Sequence, residues 1–239
     1  MKHVPNLITS LNLAAGFIAI TFASTGDLVT SSWFILAAMV FDFLDGFSAR
    51  ILKAYSDLGK ELDSLADVVS FGVAPALIIY NLLIANTMQN LKAFEGGQQL
   101  LLTILASVPV IMPVCAALRL AKFNIDTTQT TSFKGLPTPA NAVAVISVVI
   151  AANYSDSALL KSFIGSPVTL DIFTIVLSLL MVSRIPLLSL KVTNLKWRGN
   201  EGRYILIGLV LIAMIIFGIG AATLIIPFYI FASLLAILF

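Results

Sequence analysis

Residues 31–51 have the sequence SSWFILAAMVFDFLDGFSARI, an apolar run of about 20 residues, which is the length of a membrane-spanning helix. Two aspartates, Asp42 and Asp45, lie inside this run. An ionised carboxylate costs about 2.5–3.5 kcal/mol at the centre of such a helix, so two of them need compensation. The run therefore predicts a membrane helix that carries a polar functional site on one face.

The composition of the whole chain agrees with a membrane protein. Of its 239 residues, 59% are apolar and 11% are charged, and the mean hydropathy is +1.02. Soluble domains are about 45–50% apolar and about 25% charged, so a soluble enzyme or a disordered chain is disfavoured. The formal net charge of +2 gives no strong field for polyanions, and no nucleic-acid partner is expected.

Eight apolar runs approach the length of a span, although the fifth is short. They are Leu7–Ser24, Ser31–Ile51, Leu62–Ala85, Leu100–Lys122, Ala140–Asn153, Leu170–Leu190, Tyr204–Gly220 and Ala222–Phe239. The first run follows basic residues, as in a signal peptide, but Ala23-Ser24-Thr25 is a poor cleavage site, so we expect a retained helix. The predicted fold class is an all-α membrane bundle of about eight helices in one domain, residues 1–239.

The basic residues predict the orientation of this bundle. With the N-terminus in the cytosol and eight spans, twelve of the 14 Lys and Arg residues are cytosolic and only Lys92 and Lys161 are outside. The twelve are Lys2, Arg50, Lys53, Lys60, Arg119, Lys122, Lys134, Arg184, Lys191, Lys196, Arg198 and Arg203. We therefore expect both termini in the cytosol and a protein of the cytoplasmic membrane.

Carboxylates carry the predicted chemistry, because the chain has one histidine, His3, and one cysteine, Cys115. Helical spacing predicts two polar stripes, one with Asp42, Asp45, Gly46 and Ala49 and one with Gly59, Asp63, Asp67 and Ser70. Four carboxylates that face one site repel each other, and hard oxygen ligands suit Mg²⁺, Mn²⁺ or Ca²⁺ better than zinc. Arg50 adds a positive charge suited to phosphate.

The pattern Asp42-x-x-Asp45-Gly46-x-x-Ala49-Arg50, then eight residues, then Gly59-x-x-x-Asp63-x-x-x-Asp67, resembles the signature of the CDP-alcohol phosphotransferases. The resemblance implies a membrane enzyme that transfers a substituted phosphate from a CDP-linked donor to an alcohol and releases CMP. It implies Mg²⁺ or Mn²⁺ as cofactor, held by Asp42, Asp45 and Asp63, with Asp67 as general base and a further metal contact. It also implies a cytidine pocket of Gly46, Ala49, Gly59 and Arg50.

Other segments resemble the serine-accepting branch of this family, the membrane-embedded phosphatidylserine synthases. They are Pro5–Thr9 followed by Asn12, Ser64–Pro75, Arg119–Asn124 and Phe133–Ala140. The resemblance covers most of Pro5–Pro186 and is weaker beyond, including the two spans in residues 204–239. It implies that CDP-diacylglycerol and L-serine give phosphatidylserine and CMP, in a homodimer whose active site faces the cytosol.

The roles of several polar residues stay open at this stage. Asn6 and Thr9 would contact the nucleotide, although Asn6 after Pro5 also suits a helix cap. Four cations are candidates for binding the acceptor carboxylate, namely Arg119, Arg184, Lys122 and Lys134. The alternative for each is a cytosolic anchor that snorkels to the membrane surface.

Other functions fit part of the pattern. The same chemistry with glycerol 3-phosphate or an inositol phosphate would want more cations at the acceptor. A cation-coupled transporter also uses carboxylates inside spans, but no inverted repeat is apparent and the four aspartates fall in one short window. A structural scaffold predicts that Asp→Asn changes in this window are harmless.

Overall fold

The computed structural model describes residues 3–91, 106–125, 133–188 and 200–236. In this part of the chain, ten α-helices carry the architecture. They are α1 Val4–Ser24, α2 Leu28–Ile51, α3 Asp57–Asp67, α4 Ala74–Leu91, α5 Ile111–Ile125, α6 Thr138–Tyr154, α7 Ala158–Ile164, α8 Pro167–Val182, α9 Glu201–Phe217 and α10 Ile225–Leu235. Two short strands, β1 Phe133–Lys134 and β2 Pro186–Leu187, pair antiparallel.

A tight turn makes α1 and α2 an antiparallel pair. Gly26 in this turn has φ +86°, a left-handed conformation that favours glycine. The Asp27 side chain then caps α2 by accepting a hydrogen bond from the Thr30 backbone N–H at 3.0 Å. The rings of Phe22 and Phe34 stack across the pair with centroids 5.4 Å apart. The turn thereby aligns the beginning of α1 with the end of α2.

Helices α3 and α4 are joined without a break by the π-helix Val68–Val73, which begins directly after Asp67. The segment is fixed from two sides, because Ser70 Oγ donates to the Asn12 carbonyl at 3.1 Å and Asn141 Nδ2 donates to the Phe71 carbonyl at 3.1 Å. Single π-turns inside α-helices occur frequently at functional sites. The sequence pattern predicted a span from Leu62, whereas the helix already begins at Asp57.

The all-α membrane architecture agrees with the sequence. Among the described residues, five helical stretches are long and apolar enough to cross a membrane, or six if the pair α7 and α8, bent by 81°, forms one broken span. The five are Val4–Ser24, Leu28–Ile51, Asp57–Asn86, Val108–Ile125 and Glu201–Leu235. Helix α6 is apolar but shorter, and the predicted span Leu100–Lys122 begins outside the described residues. The count of eight stays a prediction.

The long apolar stretch Glu201–Leu235 folds back on itself. Helix α9 ends at Phe217, Gly218 has φ +55°, and the 3₁₀-helix Gly218–Leu224 leads into α10. Gly202 at the beginning of α9 lies against Ala232 and Ala236, where an added Cβ would be 2.9 Å from the Ala236 Cβ. Helices α9 and α10 are therefore antiparallel neighbours, and the division of this stretch into two spans stays a prediction.

Candidate active site

Three carboxylates from two helices converge near the C-terminal end of α2, the end that the charge pattern predicts to be cytosolic. Asp42 of α2 and Asp63 and Asp67 of α3 each offer an oxygen atom, and these atoms all lie within 4.8 Å of one another. We call these three residues the carboxylate cluster. Asp67 is only 7% exposed, and Asp63 Oδ1 is buried without a hydrogen-bond partner among the described residues.

The carboxylate cluster has the properties of a cation site. The carboxyl groups of Asp42 and Asp63 are close enough to hydrogen-bond each other, and two carboxylates at such a distance repel unless a proton or a cation lies between them. An unpartnered buried oxygen and an all-oxygen donor set suit a hard divalent cation such as Mg²⁺, Mn²⁺ or Ca²⁺. The residues present therefore fit the metal that the family resemblance implies.

The fourth aspartate, Asp45, lies outside this cluster and has a partner on α1. Its Oδ2 accepts a hydrogen bond from Thr9 Oγ1 at 2.6 Å, and its side chain is 6% exposed. The Thr9 hydroxyl also lies 3.0 Å from the Pro5 carbonyl oxygen. Thr9 thus positions Asp45 across the α1–α2 pair, and a role of Asp45 as metal ligand stays a prediction.

A cavity of about 560 Å³ opens beside the carboxylates, and we call it the first cavity. This volume is in the range of sites that hold a ligand of nucleotide size. It brings together every residue predicted for the nucleotide and three of the four aspartates, while Asp67 is not part of its lining. The lining includes Asn6, Thr9, Asp42, Asp45, Gly46, Ala49, Arg50, Gly59 and Asp63.

The two glycines of the first cavity have different surroundings. A Cβ at Gly46 would meet no described atom within 4 Å, so this face of α2 opens into the cavity. A Cβ at Gly59 would lie 2.9 Å from Asn6 Oδ1 and 3.0 Å from Ser56 Oγ. Gly59 therefore lets α1 approach α3 closely. Arg50 is held at the rim, because its Nε donates to the Gly46 carbonyl at 2.9 Å.

A bulky residue at position 46 tests whether the first cavity holds the donor. We expect Gly46→Leu to raise the KM for the CDP-linked donor at least about tenfold, because the side chain would project into the cavity and occupy part of the donor's space. Helix stability should not fall, since glycine inside a helix is destabilising by roughly 0.5–1 kcal/mol relative to alanine. The matched control is Gly208→Leu on α9, where an added Cβ would also meet no described atom within 4 Å. Thermal unfolding and donor titration are measured for both variants. An unchanged donor KM would contradict the assignment.

The end of α5 is tied to α3 by two polar contacts. Lys60 Nζ donates to the Asn124 carbonyl at 2.8 Å, and Asn124 Nδ2 donates to Ser64 Oγ at 2.9 Å. These contacts place Phe123 where it lines both the first cavity and a neighbouring one. The two cavities therefore adjoin at the end of α5.

The neighbouring, second cavity has a volume of about 470 Å³ and brings together all four cations predicted for the acceptor. Arg119, Lys122, Lys134 and Arg184 line it with Phe123, Ile125, Met181, Val182 and Ser183. Arg119 is 9% exposed, and its Nε has no hydrogen-bond partner within the described ranges. Its guanidinium is close enough to interact electrostatically with Asp67, which links the second cavity to the carboxylate cluster.

A short β-ladder forms one wall of the second cavity. Lys134 pairs with Pro186, and the Gly135 N–H donates to the Ile185 carbonyl at 2.9 Å. Gly135 has φ +80°, and a Cβ there would lie 2.5 Å from the Met181 carbonyl oxygen. The chain at Gly135 is thus fastened to the end of α8, and it carries Lys134 to the cavity that also contains Arg184.

Sequence reasoning gave no role to Asn12, which reaches the carboxylate cluster. Its Nδ2 donates to Asp67 Oδ1 at 3.4 Å, and its Oδ1 is buried without a partner in the described part of the chain. Asn12 follows Thr9 by three residues, so both side chains face α2 and α3 from one stripe of α1. That spacing was the available signal, since a buried polar stripe on a membrane helix needs partners.

Comparison with known proteins identifies relatives over most of the chain. A family model described as CDP-alcohol phosphatidyltransferase matches residues 2–230. A CDP-diacylglycerol–serine O-phosphatidyltransferase of Helicobacter pylori strain J99 is 35% identical over 198 residues, which are 81% of this chain and 74% of the relative. The protein of the same name from Bacillus subtilis strain 168 is 35% identical over 77% of this chain and 89% of its own.

An archaeal protein extends the comparison. The archaetidylserine synthase of Methanothermobacter thermautotrophicus is 35% identical over 155 residues, which are 64% of this chain and 60% of the relative. The names of these bacterial and archaeal relatives all refer to serine, either as the acceptor or as part of the lipid product.

Proposed function

We propose, because the chain belongs to the CDP-alcohol phosphatidyltransferase family, that it transfers the phosphatidyl group of CDP-diacylglycerol to the hydroxyl of L-serine. The products are phosphatidylserine and CMP. The observation that carries serine as acceptor is the name shared by relatives that are 35% identical over most of their length. The two adjoining cavities with the carboxylate cluster beside them support a donor site and an acceptor site that meet.

The first cavity is the proposed site of the donor headgroup. Gly46, Ala49 and Gly59 provide surface without bulky side chains, where a cytidine can approach the backbone. Arg50 places its positive charge at the rim, where the donor phosphates would lie. Asn6 and Thr9 complete this wall from α1, and the contact of Thr9 with Asp45 fixes their helix against α2.

The carboxylate cluster, together with Asp45, is the proposed metal site. Asp42, Asp63 and Asp67 would hold the divalent cation, Mg²⁺ or Mn²⁺, next to the donor pyrophosphate. When bound, such an ion neutralises phosphate charge and orients the phosphorus for attack. Phosphoryl transfer depends mainly on positioning and electrostatic stabilisation, and these are what fixed helices supply.

Asp67 is the proposed general base. It belongs to the cluster, and Arg119, which lines the second cavity, interacts with it electrostatically. Asp67 takes the proton of the serine hydroxyl while that oxygen forms a bond to the phosphatidyl phosphorus. The bond from phosphorus to the CMP oxygen breaks, and CMP leaves with that electron pair. Asn12 holds one Asp67 oxygen by a hydrogen bond, which orients the carboxylate.

The second cavity is the proposed serine site. The serine carboxylate would be bound by the cations that line this cavity, which are Arg119, Arg184, Lys122 and Lys134. Arg119 is the best placed, because its buried Nε has no partner among the described residues and guanidinium binds carboxylates through two parallel hydrogen bonds.

A conservative change at Arg119 separates carboxylate binding from membrane anchoring. We expect Arg119→Lys to raise the KM for L-serine about tenfold, because lysine keeps the charge but lacks the two-pronged geometry. The KM for CDP-diacylglycerol should stay within about twofold. Steady-state CMP release with Arg119→Lys and with the distant control Lys161→Gln measures both constants. A serine KM equal to that of the wild type would favour the snorkelling anchor.

The placement of the enzyme in the cell follows the charge pattern. We propose a protein of the cytoplasmic membrane with about eight spans, both termini and the active site in the cytosol, and a homodimeric assembly. Six of the basic residues predicted as cytosolic line the two cavities. They are Arg50, Lys60, Arg119, Lys122, Lys134 and Arg184. CDP-diacylglycerol would enter from the surrounding lipid, with residues 1–239 acting as one domain.

One assay tests the proposed function. Purified protein in detergent receives CDP-diacylglycerol with Mg²⁺ or Mn²⁺ and one of four additions: L-serine, glycerol 3-phosphate, myo-inositol 1-phosphate or no acceptor. CMP that appears only with serine supports the proposal. CMP with another acceptor would keep the family chemistry and reject serine, and no CMP from folded protein would favour the transporter.

A further inference from the structure

We infer that Tyr229 of α10 is a positioning residue for the second cavity, because it holds Leu188, the residue directly after β2. The inference rests on the proposed function, since it assigns this cavity to the acceptor. It concerns the C-terminal helix pair, the part of the chain where the sequence resemblance is weaker and to which sequence reasoning gave no chemical role.

The backbone of Leu188 is bound on both sides by side chains of α10. Tyr229 Oη donates to the Leu188 carbonyl at 2.9 Å, and the Leu188 N–H donates to Ser233 Oγ at 3.1 Å. Ser233 Oγ in turn donates to the Tyr229 carbonyl at 2.6 Å. Tyr229 is 4% exposed and Ser233 is 2% exposed. We call Tyr229 and Ser233, with their hydrogen bonds to Leu188, the clasp. A backbone group in such apolar surroundings needs a partner, so the clasp fixes Leu188.

Fixing Leu188 also fixes the wall of the second cavity. Leu188 directly follows β2, whose Pro186 pairs with Lys134 on β1, and Arg184 lies two residues before β2. Gly202 at the beginning of α9 leaves room for the Leu188 side chain, which would collide with a Cβ there. A shift of Leu188 would therefore move the segment that carries Arg184 and its partner strand.

Tyr229 also lies within electrostatic range of Arg119, the residue proposed to bind the serine carboxylate. The tyrosine oxygen and the Arg119 guanidinium are close enough to interact electrostatically. Because the hydroxyl proton points to the Leu188 carbonyl, the lone pairs of the oxygen are left to the cation. Tyr229 thus acts on both arginines of the second cavity. It fixes the segment of Arg184 through Leu188, and its hydroxyl dipole acts on Arg119.

A purely structural clasp would predict a different result from a positioning residue. A clasp that only fastens the C-terminal helix pair would affect folding, and it would change the constants for both substrates or for neither. A residue that positions the acceptor wall changes the serine constant selectively. The difference between the two KM values is therefore the decisive readout.

The experiment uses the full chain with Tyr229→Phe, which keeps the buried ring and removes only the hydroxyl. Ser233→Ala removes the other half of the clasp and serves as a second variant if the first one folds poorly. Tyr154→Phe is the matched control, because this tyrosine is exposed at the end of α6, away from both cavities. Each protein is measured for its KM for L-serine, KM for CDP-diacylglycerol, kcat and thermal unfolding midpoint.

We expect Tyr229→Phe and Ser233→Ala to raise the serine KM about five- to tenfold, as the loss of one buried hydrogen bond implies. The KM for CDP-diacylglycerol should change by less than about twofold. In the double variant Arg119→Lys/Tyr229→Phe, the loss of serine-binding free energy should be smaller than the sum of the losses in the two single variants, because both changes act on one binding group. Tyr154→Phe should match the wild type.

Two results would overturn the inference: an unchanged serine KM in both clasp variants, or an equal rise of both KM values with a lower unfolding midpoint. The proposed function fails separately, since it depends on the wild type. If the wild type releases CMP only with another acceptor, serine is rejected and Tyr229 is judged on the KM of that acceptor. If no acceptor releases CMP, both are overturned.

Discussion

Asparagine at position 67 is expected to lower kcat for CMP release by about 10³-fold or more while leaving the protein folded. The amide has the shape of the carboxylate and the site is 7% exposed, so packing is preserved. In the proposed reaction the amide could not accept the proton of the serine hydroxyl, and it would weaken the proposed cation site of Asp42, Asp63 and Asp67. Steady-state CMP release at saturating CDP-diacylglycerol and serine measures the loss of kcat directly.

The matched control for Asp67→Asn is Asp57→Asn on the same helix. Asp57 is exposed in the first turn of α3 and belongs to neither cavity. It should keep kcat within about twofold of the wild type. If Asp67→Asn kept full kcat, Asp67 would be neither base nor essential metal ligand, and its carboxylate would have a structural role only.

The polar residues of the site could be predicted because a membrane environment makes them conspicuous. Helical spacing placed Asp42 with Asp45 and Asp63 with Asp67 on single stripes, and the family signature joined the stripes into one site. The structure brings Asp42, Asp63 and Asp67 together, whereas Asp45 turns to Thr9. The rotation of α1 against α2 decides this difference, and spacing within one helix contains no information about that rotation.

Other features of the site depend on contacts between distant segments. The π-helix after Asp67 is stabilised by Asn141 from α6, and no local pattern indicates such a partner. Tyr229 reaches Leu188 only because α9 and α10 fold back on each other. The four cations predicted for the acceptor line one cavity, and their role in binding the acceptor stays a prediction. Their order of importance depends on burial, which singles out Arg119.

The second large effect is expected on the binding of the divalent cation, not on the transfer of the serine hydroxyl proton. In Asp63→Asn, we expect the thermal stabilisation by Mn²⁺ to be lost. A cation that binds the folded wild type at about 100 times its Kd adds about 2.7 kcal/mol, which for a chain of this size raises the unfolding midpoint by roughly 5–10 °C. Asp63 supplies one oxygen of the carboxylate cluster, and an amide is a much weaker ligand than a carboxylate.

The same variant should behave in the opposite way without metal. In excess EDTA and at a pH where Asp42 and Asp63 are both ionised, no cation offsets the repulsion between these neighbouring carboxylates, so Asp63→Asn removes a repulsion that the wild type retains. We therefore expect the variant to unfold at a higher temperature than the wild type in EDTA and at a lower temperature in saturating Mn²⁺. Asp57→Asn should follow the wild type in both conditions. An equal Mn²⁺ shift in Asp63→Asn and wild type would place the cation elsewhere, whatever the activity of the variant.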